Sequence, residues 1–301
     1  MKSERILMLL RSIVRWIVPR PLRIELLRLK RLPAWLLETR SIGRIHLPEA
    51  EQVSFEFVLA SHSSPLARAL GEVPPALQAG KERNVAIAAH CIDGLLLLPN
   101  EIFSYHRTVG RPSRLRGFRP GMELHDGKPS QGVGGGCCQV SNMLYLLALR
   151  GGMKVTERHR HGVDLYPDHG RTIPFGCGAT VFYNYADLRF ENPLPQPVLL
   201  RFRVQDGSLL GEIRTLAHPG WTAEIYEVDH RRYREGELWV RENRIRRRFL
   251  RVDGSVILDQ EVAHNRGRIL YTMPEDTEEA EADTEAPAIG KEEKAICCEP
   301  H

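Results

Sequence analysis

The chain has 301 residues, of which 42% are hydrophobic and 27% charged. These values are close to the averages of soluble globular proteins and exclude both wholesale disorder and a multi-span membrane protein. The formal net charge of +4 is too small to imply a polyanion partner, so no nucleic acid is expected. Charge is uneven along the chain: residues 1–48 carry eleven basic side chains against Glu4, Glu25 and Glu38, whereas residues 274–301 carry ten acids against Lys291 and Lys294.

Residues 1–50 read as a basic helical region, broken at Pro19, Pro21, Pro33 and Pro48 by the missing amide. Its apolar run, Ile6 to Leu10 with Ile13, Val14 and Trp16 to Val18, is interrupted by Arg11 and Arg15. It is shorter than the roughly 20 apolar residues a spanning helix needs, and no small-residue cleavage site follows, unlike a signal peptide. The segment either packs on the protein's own core or, through residues 1–30, lies on an anionic membrane face. A connecting segment, 51–82, follows. Asn84 to Ile92 has helical character and Asp93-Gly94 stops it. Leu95 to Leu98 and Glu101 to Tyr105 read as strands around Pro99-Asn100.

The glycine-rich loop Gly132-Val133-Gly134-Gly135-Gly136 leads into Cys137-Cys138-Gln139, after which Val140, Met143, Leu144 and Leu147 recur at helical spacing until Gly151-Gly152. Lys154 to His161 alternates, which puts Val155, Glu157, His159 and His161 on one strand face. Thr180 to Phe190, Pro197 to Val204 and Leu209 to Arg214 read as strands, the last two around the hairpin signal Asp206-Gly207. Thr222 to Val228, Leu238 to Val252 and Ser255 to Val262 form a small β region over 217–273. Residues 274–301 read as an acidic disordered tail, with Cys297 and Cys298 uninvolved at its end. Six cysteines, two pairs of them adjacent, do not make a secreted disulfide framework. A reducing cytoplasm is the expected compartment, with association at the inner membrane face as an option.

A glycine run that delivers a cysteine to the first turn of a helix favours thiolate over thiol, through unpaired amides and the helix dipole. Cys138 is therefore the candidate nucleophile, and His159 or His161 the candidate general base. Gly134, Gly135 and Gly136 would bring backbone amides onto an oxyanion. The plain alternative is a buried structural cysteine behind a tight turn. Zinc held by His159, His161 and Cys137, Cys138 or Cys177 is a further alternative, though no CxxC or HExxH spacing supports it, and no metal or other cofactor is assigned. The loop lacks the acidic partner of a dinucleotide fingerprint and the Lys-Ser/Thr of a P-loop. The run Arg241, Arg244, Arg246, Arg247, Arg248 and Arg251 is diluted by Glu235, Glu237 and Glu242 and reads as a solvated strand face.

Gly134 to Asn142, GGGCCQVSN, resembles the GGGxCQ signature of the VanW family. Leu98-Pro99-Asn100-Glu101-Ile102-Phe103-Ser104 is similar to that family's opening motif, Glu157-Arg158-His159-Arg160-His161 to its ERHxH, and Ala179-Thr180-Val181 with Asp187-Leu188-Arg189-Phe190 to its closing motifs. The resemblance spans roughly residues 83–216. It implies an accessory role in glycopeptide resistance or cell-envelope biology, with Cys138, Gln139, His159 and His161 at the family's signature positions. Gly178 stands where the family has Asp, which leaves Asp164, Asp168 or Asp187 as substitutes for an orienting acid. Gln139 is a candidate to help polarise an oxyanion.

The expected fold is α+β, with the Cys138 helix packed on a mostly antiparallel sheet, as in cysteine hydrolases of the papain and NlpC/P60 type. Two functions follow. One is thiol-dependent hydrolysis or transfer of an acyl or amide group on a peptidoglycan-related molecule. The other is a non-catalytic module binding cell-wall peptides or precursors in a groove of Tyr105, Tyr183 and Tyr185.

Overall fold

The computed structural model describes residues 22, 25, 26, 29, 31–38, 41–67, 74–125, 128–160, 162–164, 167 and 173–273. His161, Asp168, most of the N-terminal segment and the acidic tail with Cys297 and Cys298 lie outside them. The architecture is α+β with mostly antiparallel sheets, as expected.

A five-stranded antiparallel sheet has the order β1-β3-β10-β11-β2, built from β1 (Ile45–His46), β2 (Phe57–Pro65), β3 (Leu95–Leu97), β10 (Val198–Gln205) and β11 (Ser208–Thr215). Strands β10 and β11 close at Asp206-Gly207, where φ is +49° and +69°. Both angles suit a type I′ turn. Two helices cover this sheet. In α3 (Pro75–Ile92), Val85, Ala88, Ala89 and Ile92 form one buried face at helical spacing. Pro75 starts this helix where a missing amide costs nothing, and Gly94 ends it at φ +77°. In α5 (Cys138–Arg150), buried residues run almost all round. Gly211 on β11 lets this helix approach, since a Cβ there would lie 2.6 Å from Met143 Sδ.

The shorter helices are α1 (Leu32–Leu36), α2 (Glu49–Gln52) and α4 (Tyr105–Thr108). A three-stranded sheet, β4-β9-β7, joins Ile102–Ser104, Arg189–Glu191 and Lys154–Glu157, with Phe103 stacked on Phe190 at 4.7 Å. Strands β5 (Pro120–His125) and β6 (Lys128–Val133) form a hairpin ahead of the glycine loop. At the C-terminal end, β12 (Trp221–Glu235), β13 (Leu238–Arg251) and β14 (Val256–Ile269) make an antiparallel meander, and β8 (Val163–Asp164) pairs with it in parallel.

Several expectations are corrected. The strand foreseen over 180–190 is confined to β9; before it, residues 182–186 fold into a tight turn with Asn184 at φ +56°. Strand β7 stops at Glu157 after a register shift, because Arg158 turns inward and is buried. The segment 51–82 contains β2 and the start of α3. The arginine run is no solvated face throughout. Arg241 is buried against Asp164 at 3.0 Å, and Arg247 is buried as well.

Candidate active site

Cys138 opens α5 and is half-buried. Its loop is shaped by close approach: a Cβ on Gly135 would lie 2.2 Å from Gly121 O, and one on Gly134 would lie 2.6 Å from Pro112 Cβ at φ +93°. Asn84 Nδ2, wholly buried, donates to Arg119 O and Gly135 O at 2.8 and 2.9 Å and pins the loop to α3. The amides of Gly134, Gly135 and Cys137 are spent on Arg119 O, Gly132 O and Gly134 O. The loop glycines therefore serve packing first. Burial pushes the Cys138 thiol above its ordinary value, while the Val181 amide directed at the sulfur holds it down. Burial pushes Cys137 and Cys177 up to about 12.

The polar residues after Cys138 are tethers. Gln139 Nε2 donates to Ser64 Oγ and Pro65 O, both at 2.9 Å, and so fastens α5 to β2 instead of facing an oxyanion. Ser141 Oγ donates to Ala179 O at 2.6 Å, and Asn142 Oδ1 accepts from Ala179 N at 2.8 Å. These two bonds lay the segment 179–181 along α5, and this brings the Val181 amide to the sulfur. One residue earlier, Thr180 N donates to His159 O at 2.8 Å. Consecutive amides thus connect the thiol with the backbone of the candidate base.

His159 Nε2 lies 2.7 Å from Glu157 Oε1, and its buried Nδ1 has no hydrogen-bond partner among the described residues. No hydrogen bond joins this ring to Cys138. Burial raises the Glu157 carboxyl, but hydrogen bonds and charge from His159 and Arg31 outweigh it and hold it at about 2. Asp187 N also donates to Glu157 Oε1, at 3.1 Å, and Arg31 Nη2 pairs with Oε2. Beside this pair, Ser104 Oγ donates to Asp187 Oδ2 at 2.6 Å and His106 N to Oδ1 at 3.0 Å. Burial lifts Asp187 to about 6 and lowers the His106 imidazole to about 3. Trp35 of α1 and Tyr183 pack on His106.

Sequence reasoning gave Glu157, Ser104 and His106 no role and offered Asp187 only as a substitute acid. The available signal was that Ser104, the pair Glu157 and His159, and Asp187 stand in three separate quoted motifs, and here they join one network. Tyr105 is buried in the core, so it cannot line a groove, whereas Tyr183 and Tyr185 lie on the 182–186 turn and Tyr185 is exposed. Among the described residues no three His, Cys, Asp or Glu side chains converge as metal ligands, which leaves the zinc arrangement without a donor set there.

Residues 80–214 match a family model described as VanW like protein. Over this segment, somewhat less than half of the chain, the protein is similar to the VanW family. The VanW-like domain contains every residue of the network except Arg31 and Trp35. The chain is 34% identical to the uncharacterized protein YoaR of Bacillus subtilis over 133 residues, 43% of this chain and 41% of that protein. It therefore spans about two fifths of YoaR. It is 25% identical to the vancomycin B-type resistance protein VanW of Enterococcus faecalis over 207 residues, 68% of this chain and 75% of that protein. No solved structure matches.

Proposed function

We propose that the VanW-like domain is a thiol-dependent acyl or amide hydrolase or transferase acting on peptidoglycan-related substrates. The observation that carries this reading is the placement of Cys138, half-buried at the start of α5 directly behind the glycine loop. The thiol is protonated at rest, so a base is required, and His159 Nδ1 holds an uncommitted lone pair. Apo active sites often show such contacts loosened. In the first step the sulfur bonds to the substrate carbonyl carbon and its proton passes to His159. The bond to the leaving amine then breaks as the amine takes that proton. Water or an acceptor amine releases the acyl group from the thioester.

A link to glycopeptide resistance draws on the Enterococcus faecalis relative, the vancomycin B-type resistance protein VanW; the peptidoglycan-related substrate and the cell-envelope role are proposed from that link. Wild type, Cys138→Ala and Cys138→Ser are compared for labelling by a thiol-reactive acyl probe. Labelling confined to wild type supports the reading; equal labelling in all three removes it. The binding-module reading draws on the exposed turn of Tyr183 and Tyr185. Calorimetry with muropeptides separates the two, since binding survives Cys138→Ala and turnover does not.

The N-terminal segment is proposed to rest on the inner face of a membrane. Leu22, Leu26, Leu29, Leu36 and Leu37 are exposed beside the excess of basic residues over 1–48, a composition that suits an anionic interface. Among the described residues no helix is long and apolar enough to cross a membrane. Co-sedimentation with phosphatidylglycerol vesicles but not phosphatidylcholine vesicles is expected; equal recovery in both supernatants ends the idea.

A further inference from the structure

We infer that Glu157 is the positioning acid of the Cys138 site, holding His159 in the tautomer that leaves Nδ1 free to take the thiol proton. This rests on the acyl-transfer reading above and extends it. The family's Asp position is Gly178 here, and that place has no room: a Cβ on Gly178 would lie 2.7 Å from Asn142 Oδ1, which is itself engaged with the Ala179 amide. The acid is found instead two residues before the imidazole, at the end of β7. Glu157 Oε1 is 2.7 Å from His159 Nε2. A carboxylate accepts only, so Nε2 must carry the hydrogen, and in the neutral imidazole Nδ1 is then bare.

Three other groups hold the carboxylate in place. The Asp187 amide donates to the same Oε1 at 3.1 Å, and Arg31, just ahead of α1, pairs with Oε2. The Arg31 guanidinium also donates to Tyr185 O at 3.2 Å, so it spans the acid and the 182–186 turn. The charged and titratable groups around the pair are Arg31, His106, Asp187 and, opposite Glu157 on β9, Arg189, which is paired with Glu38. His106 is kept neutral by burial, and Asp187 is engaged with Ser104 and His106. Glu157 is left as the carboxylate that touches the His159 ring. A fixed carboxylate on one imidazole nitrogen with the other free is the orienting half of a nucleophile–histidine–acid arrangement, in which the acid fixes the tautomer and stabilises the imidazolium.

The test is the pH profile of Cys138 alkylation by iodoacetamide in the full chain, followed on the Cys138 peptide by mass spectrometry, for wild type, Glu157→Gln and Glu157→Asp. Glu157→Gln is expected to move the profile upward by about one pH unit, a tenfold slower reaction near neutrality, and Glu157→Asp to recover part of it. A Glu157→Gln profile that superposes on wild type overturns the inference. Should that variant not fold, nitrogen NMR of wild-type His159 decides: a protonated Nε2 with a bare Nδ1 supports the assignment, and a protonated Nδ1 overturns it. The acyl-probe experiment with Cys138→Ala stands apart. Its failure removes the nucleophile, whereas an unmoved Glu157→Gln profile with acyl labelling intact removes only the role of Glu157.

Discussion

Arg247 of β13 donates through Nη1 to Met153 O at 2.8 Å and to Leu149 O at 3.3 Å, carrying a buried guanidinium onto the C-terminal end of α5. A cation there bonds one carbonyl of the last helical turn and one just beyond it, and complements the helix dipole. The same arginine stacks over Phe249 at 4.9 Å, and Phe249 meets Trp221 edge to face. This joins the C-terminal meander to the helix that bears the cysteine. The two regions are therefore coupled through α5, whose first residue is Cys138 and whose last turn is held by β13.

Arg247→Met is expected to cost about 2 to 3 kcal/mol, the range for losing hydrogen bonds to a charged group in a buried setting. Arg244 provides the control. It is more exposed, with Asp229 and Glu261 each 3.7 Å away, and its replacement by Met should stay within about 0.5 kcal/mol. Urea unfolding midpoints of the two variants and wild type read the difference; equal midpoints would show that the docking does not depend on this contact.

Acid stability should depend on half-buried Glu157 and on two buried groups, His106 and Asp187, whose effects have opposite sign. Glu157 is held at about 2 against an ordinary 4.5, so its contribution is present above pH 4.5 and is lost as pH falls toward 2. His106 is held at about 3 against 6.5, so the unfolded chain takes up its proton first and stability falls between pH 6.5 and 3. Asp187 is raised to about 6 against 3.8; its cost is full above pH 6 and fades as pH falls toward 3.8. Between pH 6 and 4 the last two oppose each other. Wild type is expected to stay nearly level there, and Asp187→Asn to lose stability with acid through that window. Parallel curves for the two proteins would contradict the assignment.

The glycines of the signature loop differ in kind from those of the hairpins. Gly135→Ala would put a Cβ 2.2 Å from Gly121 O, backbone against backbone, so the loop and β5 must separate. A loss of about 3 kcal/mol or more is expected, at the upper end of overpacking effects. Gly207 has φ +69° and nothing within 4 Å of its added carbon, so Gly207→Ala should cost about 1 kcal/mol through backbone strain alone. Thermal midpoints in the reverse order would show that the loop relaxes more freely than its contacts imply.

The helices and hairpins were legible because each carries a local signal. Val140, Met143, Leu144 and Leu147 mark one face of α5, and Asp206-Gly207 marks the β10–β11 turn. Strand β2 was not legible: its second half, Ser61-His62-Ser63-Ser64, is polar throughout, and it is ordered by pairing with β11. For the site, the position of Cys138 at a helix start could be read directly. The partnership of Glu157 with His159 could not, since a strand pattern gives two residues a common face but does not say that they contact one another. Nor did the sequence show that Arg31 reaches that pair across 126 positions. The buried arginines were misread for a similar reason. Arg241 and Arg247 find Asp164 and the end of α5 only after the meander docks.

Restoring the family residue at position 178 offers the sharpest contrast between sequence pattern and packing. If the missing Asp had left this site without its acid, Gly178→Asp should raise the reactivity of Cys138. The structure predicts the opposite. The new Cβ would lie 2.7 Å from Asn142 Oδ1 and displace the bond from Ala179 N that seats residues 179–181 on α5. That displacement would carry the Val181 amide away from the Cys138 sulfur and raise the thiol further. Gly178 O also accepts from Arg158 Nε at 2.9 Å, so the shift would loosen the link from Arg158 to Asn265. Gly178→Asp is therefore expected to lower stability by about 1 to 3 kcal/mol and to slow alkylation of Cys138 at neutral pH. A faster reaction at unchanged stability would mean that position 178, and not Glu157, is where this domain accepts its acid.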